Sequence, residues 1–395
     1  MNGSLRGRTV ALRWRALLLL LFVVPLVACR QDGAAPVAGA SDGSAGAQAS
    51  PTLAPTAAPA TVTPPPTVTE TATPTATSPP PIPTETATPA PTATPSVTPT
   101  PDPYAGLTIA DLAARPYGQG GELQVVQQLA VTESFTRTLV TYPSDGLTIY
   151  GFMNVPFGRG PFPVALVLHG YIPPENYGTI AYTTRYADAL ARAGYLVIHP
   201  NYRNHGPSDQ TEAFANGDEP ADFRIGYAVD VLNLIAIIKA QAGTPGPMAA
   251  ADADEIHLLG HSMGGGMALR IITVNAGVRA AALYGSMSGD EYKNYERILV
   301  WSNGETGEEE LATPPEDMER IAPIHHLDRI EAAVSIHHGE ADGVVPPEWS
   351  AELCQRLQEL GKTVECFTYP DAPHTFHDAA DRLLQQRVID FFNRY

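Results

Sequence analysis

Lysine is almost missing from this 395-residue sequence; Lys239, Lys293 and Lys362 are the only three, and no two are neighbours. A nucleic-acid partner demands clustered cations that displace counterions from phosphates, so that class of partner is excluded. The formal charge of −18 favours solubility and says little about a substrate. Long apolar runs are scarce too. The most prominent, Ala16–Val27, falls short of the roughly 20 residues that a bilayer-spanning helix needs. Cysteine occurs three times, at Cys29, Cys354 and Cys366. The adjacent pairs His325-His326 and His337-His338 have no Cys or carboxylate at a ligand spacing, so no metal and no cofactor is assigned. Finally, residues 29–103 carry few of the bulky side chains from which a packed core is built.

What the N-terminus does have is a basic flank, Arg6, Arg8, Arg13 and Arg15, ahead of that short apolar run. This is the pattern of a signal peptide over residues 1–28. Its end, Leu26-Val27-Ala28-Cys29, resembles a bacterial lipobox, which implies cleavage after Ala28 and diacylglycerol on the Cys29 sulfur. Several acyl chains on one residue would anchor the chain stably to the outer face of the cell membrane. Cleavage would remove four arginines and no acid, taking the charge from −18 to −22. Residues 29–103 read as a linker, first Gly, Ala and Ser, then from Pro51 almost entirely Pro, Thr and Ala. Polyproline II at about 3.1 Å per residue would give the Pro/Thr segment a reach of at most ~160 Å. Its threonines are candidate sites of O-glycosylation.

From residue 104 to 395 the pattern changes to one domain of alternating strands and helices. A hairpin is expected around Asp145-Gly146, joining Phe135–Tyr142 to Leu147–Val155. Short apolar runs follow at Val164–Leu168, Leu196–His199, Glu255–Leu259, Ala280–Tyr284, Ala333–His337 and Thr363–Tyr369. Helical stretches separate them at Thr183–Ala193, Ala221–Gln241, Met263–Thr273, Glu348–Leu360 and Ala379–Asn393. The fold class is therefore α/β, with a mostly parallel sheet covered on both faces. Ligands bind such sheets at the carboxyl ends of the strands.

Gly-x-Ser-x-Gly occurs twice. Gly39–Gly43 lies in the spacer with no strand before it or helix after it, a chance match. Gly260-His261-Ser262-Met263-Gly264 follows a strand and opens a helix, the setting of a nucleophile elbow. Ser262 is thus the candidate nucleophile, and the Met263 amide at the helix start faces any oxyanion formed there. A serine hydroxyl needs a base. His374, on the loop before the last helix, is the candidate, with His377 expected to cap or flank that helix. Asp342 and Glu340, after the preceding strand, are both candidates for the acid. Chain order Ser, acid, His is that of the α/β-hydrolase fold. A second oxyanion donor is expected from the Tyr171 amide, after His169-Gly170. Arg203 and His205, at the end of another strand, are expected to brace loops.

From about Thr136 onward the sequence resembles the catalytic domain of prolyl-oligopeptidase-family serine peptidases and the related dienelactone-hydrolase-like enzymes. The resemblance rests on Tyr142–Gly151, on Gly160-Pro161-Phe162-Pro163 ahead of His169-Gly170, and on Ile321–Leu327. It also rests on His338-Gly339 with Asp342 and Val345-Pro346, and on Tyr369-Pro370 with His374. It implies an α/β-hydrolase fold and, by matching positions, Asp342 rather than Glu340 as the acid. Larger members of that family place a β-propeller before the hydrolase domain, for which this sequence shows no room. The resemblance favours a serine peptidase-like hydrolase acting on a small peptide. The elbow sequence suits esterases, lipases and polyester hydrolases equally, so an acyl ester stands as the rival substrate. An inactive, surface-anchored binding domain is the alternative from another class. Residues 286–318, with Tyr292, Tyr295 and Trp301, form an insertion that is either a cap or a surface excursion. Cys354 and Cys366 fall on a helix and on the strand after it, either bridged or reduced. Nothing in the sequence addresses oligomeric state.

Overall fold

The computed structural model describes residue 102 and residues 104–395 apart from 217–222 and 275–276. The expected signal peptide, Cys29, Gly39–Gly43 and the linker apart from residue 102 lie outside the described residues. The domain begins with α1 (Ile109–Ala114), capped by the Thr108 hydroxyl, and continues into β1 (Gln124–Val131), β2 (Phe135–Ser144) and β3 (Leu147–Pro156). Next come β4 (Phe162–Leu168), α2 (Thr184–Arg192), β5 (Leu196–Pro200), α3 (Glu212–Ala215), α4 (Phe223–Gln241), β6 (Ala251–His261), α5 (Met263–Val274) and β7 (Ala280–Tyr284). Three helices, α6 (Glu291–Trp301), α7 (Glu308–Leu311) and α8 (Pro315–Ile321), separate β7 from β8 (Ala333–Gly339). The chain ends with α9 (Pro347–Glu359), β9 (Val364–Tyr369) and α10 (Asp378–Phe392).

Among the described residues the nine strands form one sheet in the order β1-β2-β3-β5-β4-β6-β7-β8-β9. The β2–β3 hairpin turns through Asp145 and Gly146, both at positive φ (52° and 84°), as a two-residue turn matched to strand twist requires. From β5 to β9 every pairing is parallel. Period-two alternation then sends successive side chains to opposite faces. On β4, Val164, Leu166 and Leu168 join a core with α4, α5 and α9, whereas Ala165 and Val167 join one with α2 and α10. Burial on both faces is why these strands read as continuous apolar runs.

β1 was not expected. Gln124-Val125-Val126-Gln127-Gln128-Leu129-Ala130-Val131 has no two-residue alternation, and this edge strand is exposed along nearly its whole length. Cys354 on α9 and Cys366 on β9 are bridged, with Cα atoms 6.4 Å apart. Among the described residues no helix is long and apolar enough to cross a membrane.

Strand order places the site. The chain passes from β4 to β5 on one side and then to β6 on the other, so the direction of winding reverses at β4. A crevice opens at the carboxyl ends of strands at such a point. There Leu168 pairs with Gly260, which sets the loop after β4 beside the turn after β6.

Candidate active site

Ser262 stands in the one-residue turn between β6 and α5, at φ +57°. This left-handed conformation is costly for a residue with a Cβ and persists only where surroundings enforce it. Here the Ser262 amide donates to the Tyr284 carbonyl (2.9 Å), and its carbonyl accepts from Gly265, Gly266 and Met287. The flanking glycines are forced by contact. A Cβ on Gly260 would enter the Gly264 carbonyl, and one on Gly264 would enter the carbonyls of Leu168 and His169. The Met263 amide lies in the first turn of α5, where helix N–H groups have no partner within the helix.

His374 lies on the loop between β9 and α10. Bonds that fix that loop run from His261 Nε2 to the His374 carbonyl (3.1 Å), from the Phe376 amide to the Tyr284 hydroxyl, from Arg185 to the Phe376 carbonyl (3.2 Å) and from the Ala341 amide to the Ala372 carbonyl (3.1 Å). His374 Nδ1 is 2.7 Å from Asp342 Oδ2. A carboxylate can only accept, so Nδ1 carries the proton and Nε2 is left as the basic nitrogen. Asp342 follows β8 and is itself tightly held. Its Oδ1 accepts from the amides of Val344 (2.8 Å) and Val345 (2.9 Å), and its Oδ2 lies 3.1 Å from His338 Nε2. Burial alone would raise this carboxyl. Hydrogen bonds from His338 and His374 and from the Val345 amide outweigh burial and hold it well below the usual carboxylate range. Asp342 therefore stays ionised throughout the neutral range.

His338, in the sequence half of a His pair and part of the motif leading to Asp342, is assigned no role of its own there. Its Nε2 faces two acceptors, Asp342 and the Val345 carbonyl, while Nδ1 accepts from the Ser350 hydroxyl at 2.6 Å. His337 bonds to Ser335 and Tyr369 instead. His325 is exposed, and His326 meets the Glu319 carbonyl. Glu340 is exposed as well. His377 stands at the N-cap position of α10 without a capping side-chain bond, flanking the helix as expected. Arg203 binds Asp230 and Asp145, and His205 bonds to the carbonyls of Arg203 and Ile172, so both brace loops.

Ser262, Met263, Tyr171 and His374 line one cavity of about 570 Å³. Its other walls are largely apolar: Met287, Val344 and, from the insertion, Tyr295, Ile298 and Trp301. The insertion is therefore a cap. It is tied down by Lys293 to Glu352, by Arg297 to the Gly343 and Val344 carbonyls, and by Glu291, which pairs with both Arg224 and Arg270. Among the described residues no hydrogen bond joins Ser262 to His374; without substrate such bonds are commonly loose and tighten on binding. Tyr171 is exposed at the cavity mouth. A basic histidine nitrogen, an ionised acid behind it and a serine on a helix-opening turn can together carry out nucleophilic acyl transfer.

The model of the prolyl oligopeptidase family matches residues 182–395, more than half of the chain. This chain belongs to that family. It is a serine hydrolase with the α/β-hydrolase fold. The uncharacterized peptidase YtmA of Bacillus subtilis is 25% identical over 259 residues, covering 64% of this chain and 91% of YtmA. Acetyl xylan esterase 1 from Thermoanaerobacterium superposes with a TM-score of 0.54 at 16% identity, covering 74% of this chain and 95% of the esterase. The acylaminoacyl peptidase of Pyrococcus horikoshii gives a TM-score of 0.54 at 21% identity, over 66% of this chain and 42% of that one. These structures share the fold.

Proposed function

We propose that the protein hydrolyses acyl bonds through an acyl-enzyme, with Ser262 as nucleophile, His374 as general base and acid, and Asp342 as the group that orients and stabilises it. Ser262 Oγ attacks the carbonyl carbon as its proton passes to His374 Nε2. The amides of Met263 and Tyr171 hold the oxyanion, and His374 then protonates the departing amine or alcohol. Water repeats the sequence to release the acid. The observation that carries this reading is the 2.7 Å bond between Asp342 and His374, whose imidazole shares a cavity wall with Ser262.

A cavity of 570 Å³ suits a small molecule rather than a folded protein. Family membership supports short peptides, and the largely apolar cavity wall suits an apolar residue beside the scissile bond. Acyl esters are the second reading, favoured by the largely apolar cap wall and by the better leaving group of an ester. A matched panel of short peptide amides and acyl esters separates the two. Turnover of peptide amides supports the first; rapid ester cleavage with every peptide untouched selects the second. Turnover of neither would leave a binding domain.

The N-terminal reading belongs to the same proposal: Cys29 carries the lipid and holds the domain at the cell surface. Cys29→Ala should release the protein into the medium, and retention of that variant at the membrane would refute the anchor.

A further inference from the structure

Outside the Ser262–His374–Asp342 set, one side chain touches two of the three loops that converge on the cavity and reaches the third through a single neighbour. Tyr182, just before α2, receives the Gly170 amide on its hydroxyl oxygen at 3.0 Å. The same hydroxyl contacts His261 Nδ1, and His261 Nε2 lies 3.1 Å from the His374 carbonyl. An amide can only donate and a carbonyl can only accept, so every hydrogen in this chain has one place to go. Gly170 donates to Tyr182, Tyr182 donates to His261, and His261 donates to His374. The run joins the loop after β4, the nucleophile turn and the loop after β9, and bonds sharing one sense reinforce each other. Burial pushes the Tyr182 hydroxyl up to about 12 and His261 down to about 3, so both remain neutral at working pH.

Packing makes the contact close. A Cβ on Gly170 would stand 2.8 Å from the Tyr182 hydroxyl and 3.0 Å from Ser262 Cβ. Tyr182 is also anchored from behind. Arg185 donates to its carbonyl (3.3 Å) while binding Asp381 (3.1 Å) and the Phe376 carbonyl. The ring packs edge-on against His261, with centroids 5.4 Å apart. Loss of the hydroxyl alone would thus leave the ring and its backbone in place.

We propose that Tyr182 is a positioning residue for the reaction, its hydroxyl fixing the Gly170-Tyr171 loop against the nucleophile turn so that both oxyanion donors meet the same oxygen. This rests on the acyl-enzyme reading above.

The test is Tyr182→Phe in the full-length protein, assayed with a short acyl ester and by the rate of fluorophosphonate labelling. Loss of oxyanion alignment should lower kcat and the labelling rate together, on the order of 10–100-fold, with KM within about 3-fold of wild type. A variant that melts earlier but labels and turns over at the wild-type rate would overturn the proposal. His261 supplies a second arm should Tyr182→Phe not fold. His261→Gln retains an acceptor for Tyr182 and a donor for His374 and should keep most of the activity, whereas His261→Leu should not. Equal rates for those two variants would also overturn it. Ser262→Ala distinguishes the levels: if that variant labels like wild type, the acyl-enzyme reading fails first. If it is silent while Tyr182→Phe is fully active, only the positioning role fails.

Discussion

The Ser262 turn and the cap both line the same cavity but are built by different rules. At the turn, Gly260 and Gly264 cannot accept a Cβ, Ser262 is held at φ +57°, and the surrounding strands are buried on both faces. In the cap, Trp301 and Tyr292 are 42% and 40% exposed, and the helices are tied to the body by ion pairs and by arginine-to-carbonyl bonds. In the proposed mechanism the chemistry falls where the backbone leaves no choice, and selectivity falls where side chains can be exchanged without disturbing the sheet. Variation within this architecture should accumulate in 286–318 and change substrate rather than reaction.

Acid should break the body before the cap. Burial holds His199, His261 and His337 down to about 3 and His257 to about 4, and lowers His169 and His205 as well. All six lie in the sheet body, and 286–318 contains no histidine. A histidine whose folded value is depressed stabilises the fold fully above its unfolded value of about 6.5 and loses that contribution as pH falls below it. The melting temperature should therefore fall steeply between pH 7 and pH 5, the largest stability effect expected here. A flat profile would mean that these rings are not neutral and buried.

Asp342→Asn is next. It preserves shape but removes the charge behind His374, and should lower kcat/KM on the order of 10⁴-fold; a small effect would return Glu340 to contention. Reducing the Cys354–Cys366 bridge, or substituting Cys354→Ser, should cost about 2–3 kcal/mol in a denaturant melt while leaving kcat intact. Trp301→Ala in the cap should raise KM for apolar substrates about 10-fold, with kcat changed far less. If kcat fell as far as KM rose, the separation of the two regions would be wrong. Lys293→Ala, which opens a partly exposed ion pair with Glu352, should shift stability by under about 1 kcal/mol.

The parallel half of the sheet was legible because strands buried on both faces leave uninterrupted apolar runs. Ser262 was legible because only one of two Gly-x-Ser-x-Gly matches sits between a strand and a helix. β1 was not, since an exposed edge strand carries no alternation. Whether 286–318 covers the cavity, and whether Cys354 meets Cys366, depends on separations that only the folded chain sets. The same holds for Tyr182 and His338. One lies 80 residues before Ser262 in the chain and the other four before Asp342, and both meet partners that only tertiary packing brings to them. Three members of the two histidine pairs, His326, His337 and His338, are in space partners of carbonyls, hydroxyls and one carboxylate.

The most direct measurement is fluorophosphonate labelling of the purified protein, mapped to its residue by peptide mass spectrometry and repeated on Ser262→Ala. Stoichiometric modification of Ser262 in the wild type, with none in the variant, is the predicted result. Equal labelling of both proteins, or modification at another serine, would contradict the account.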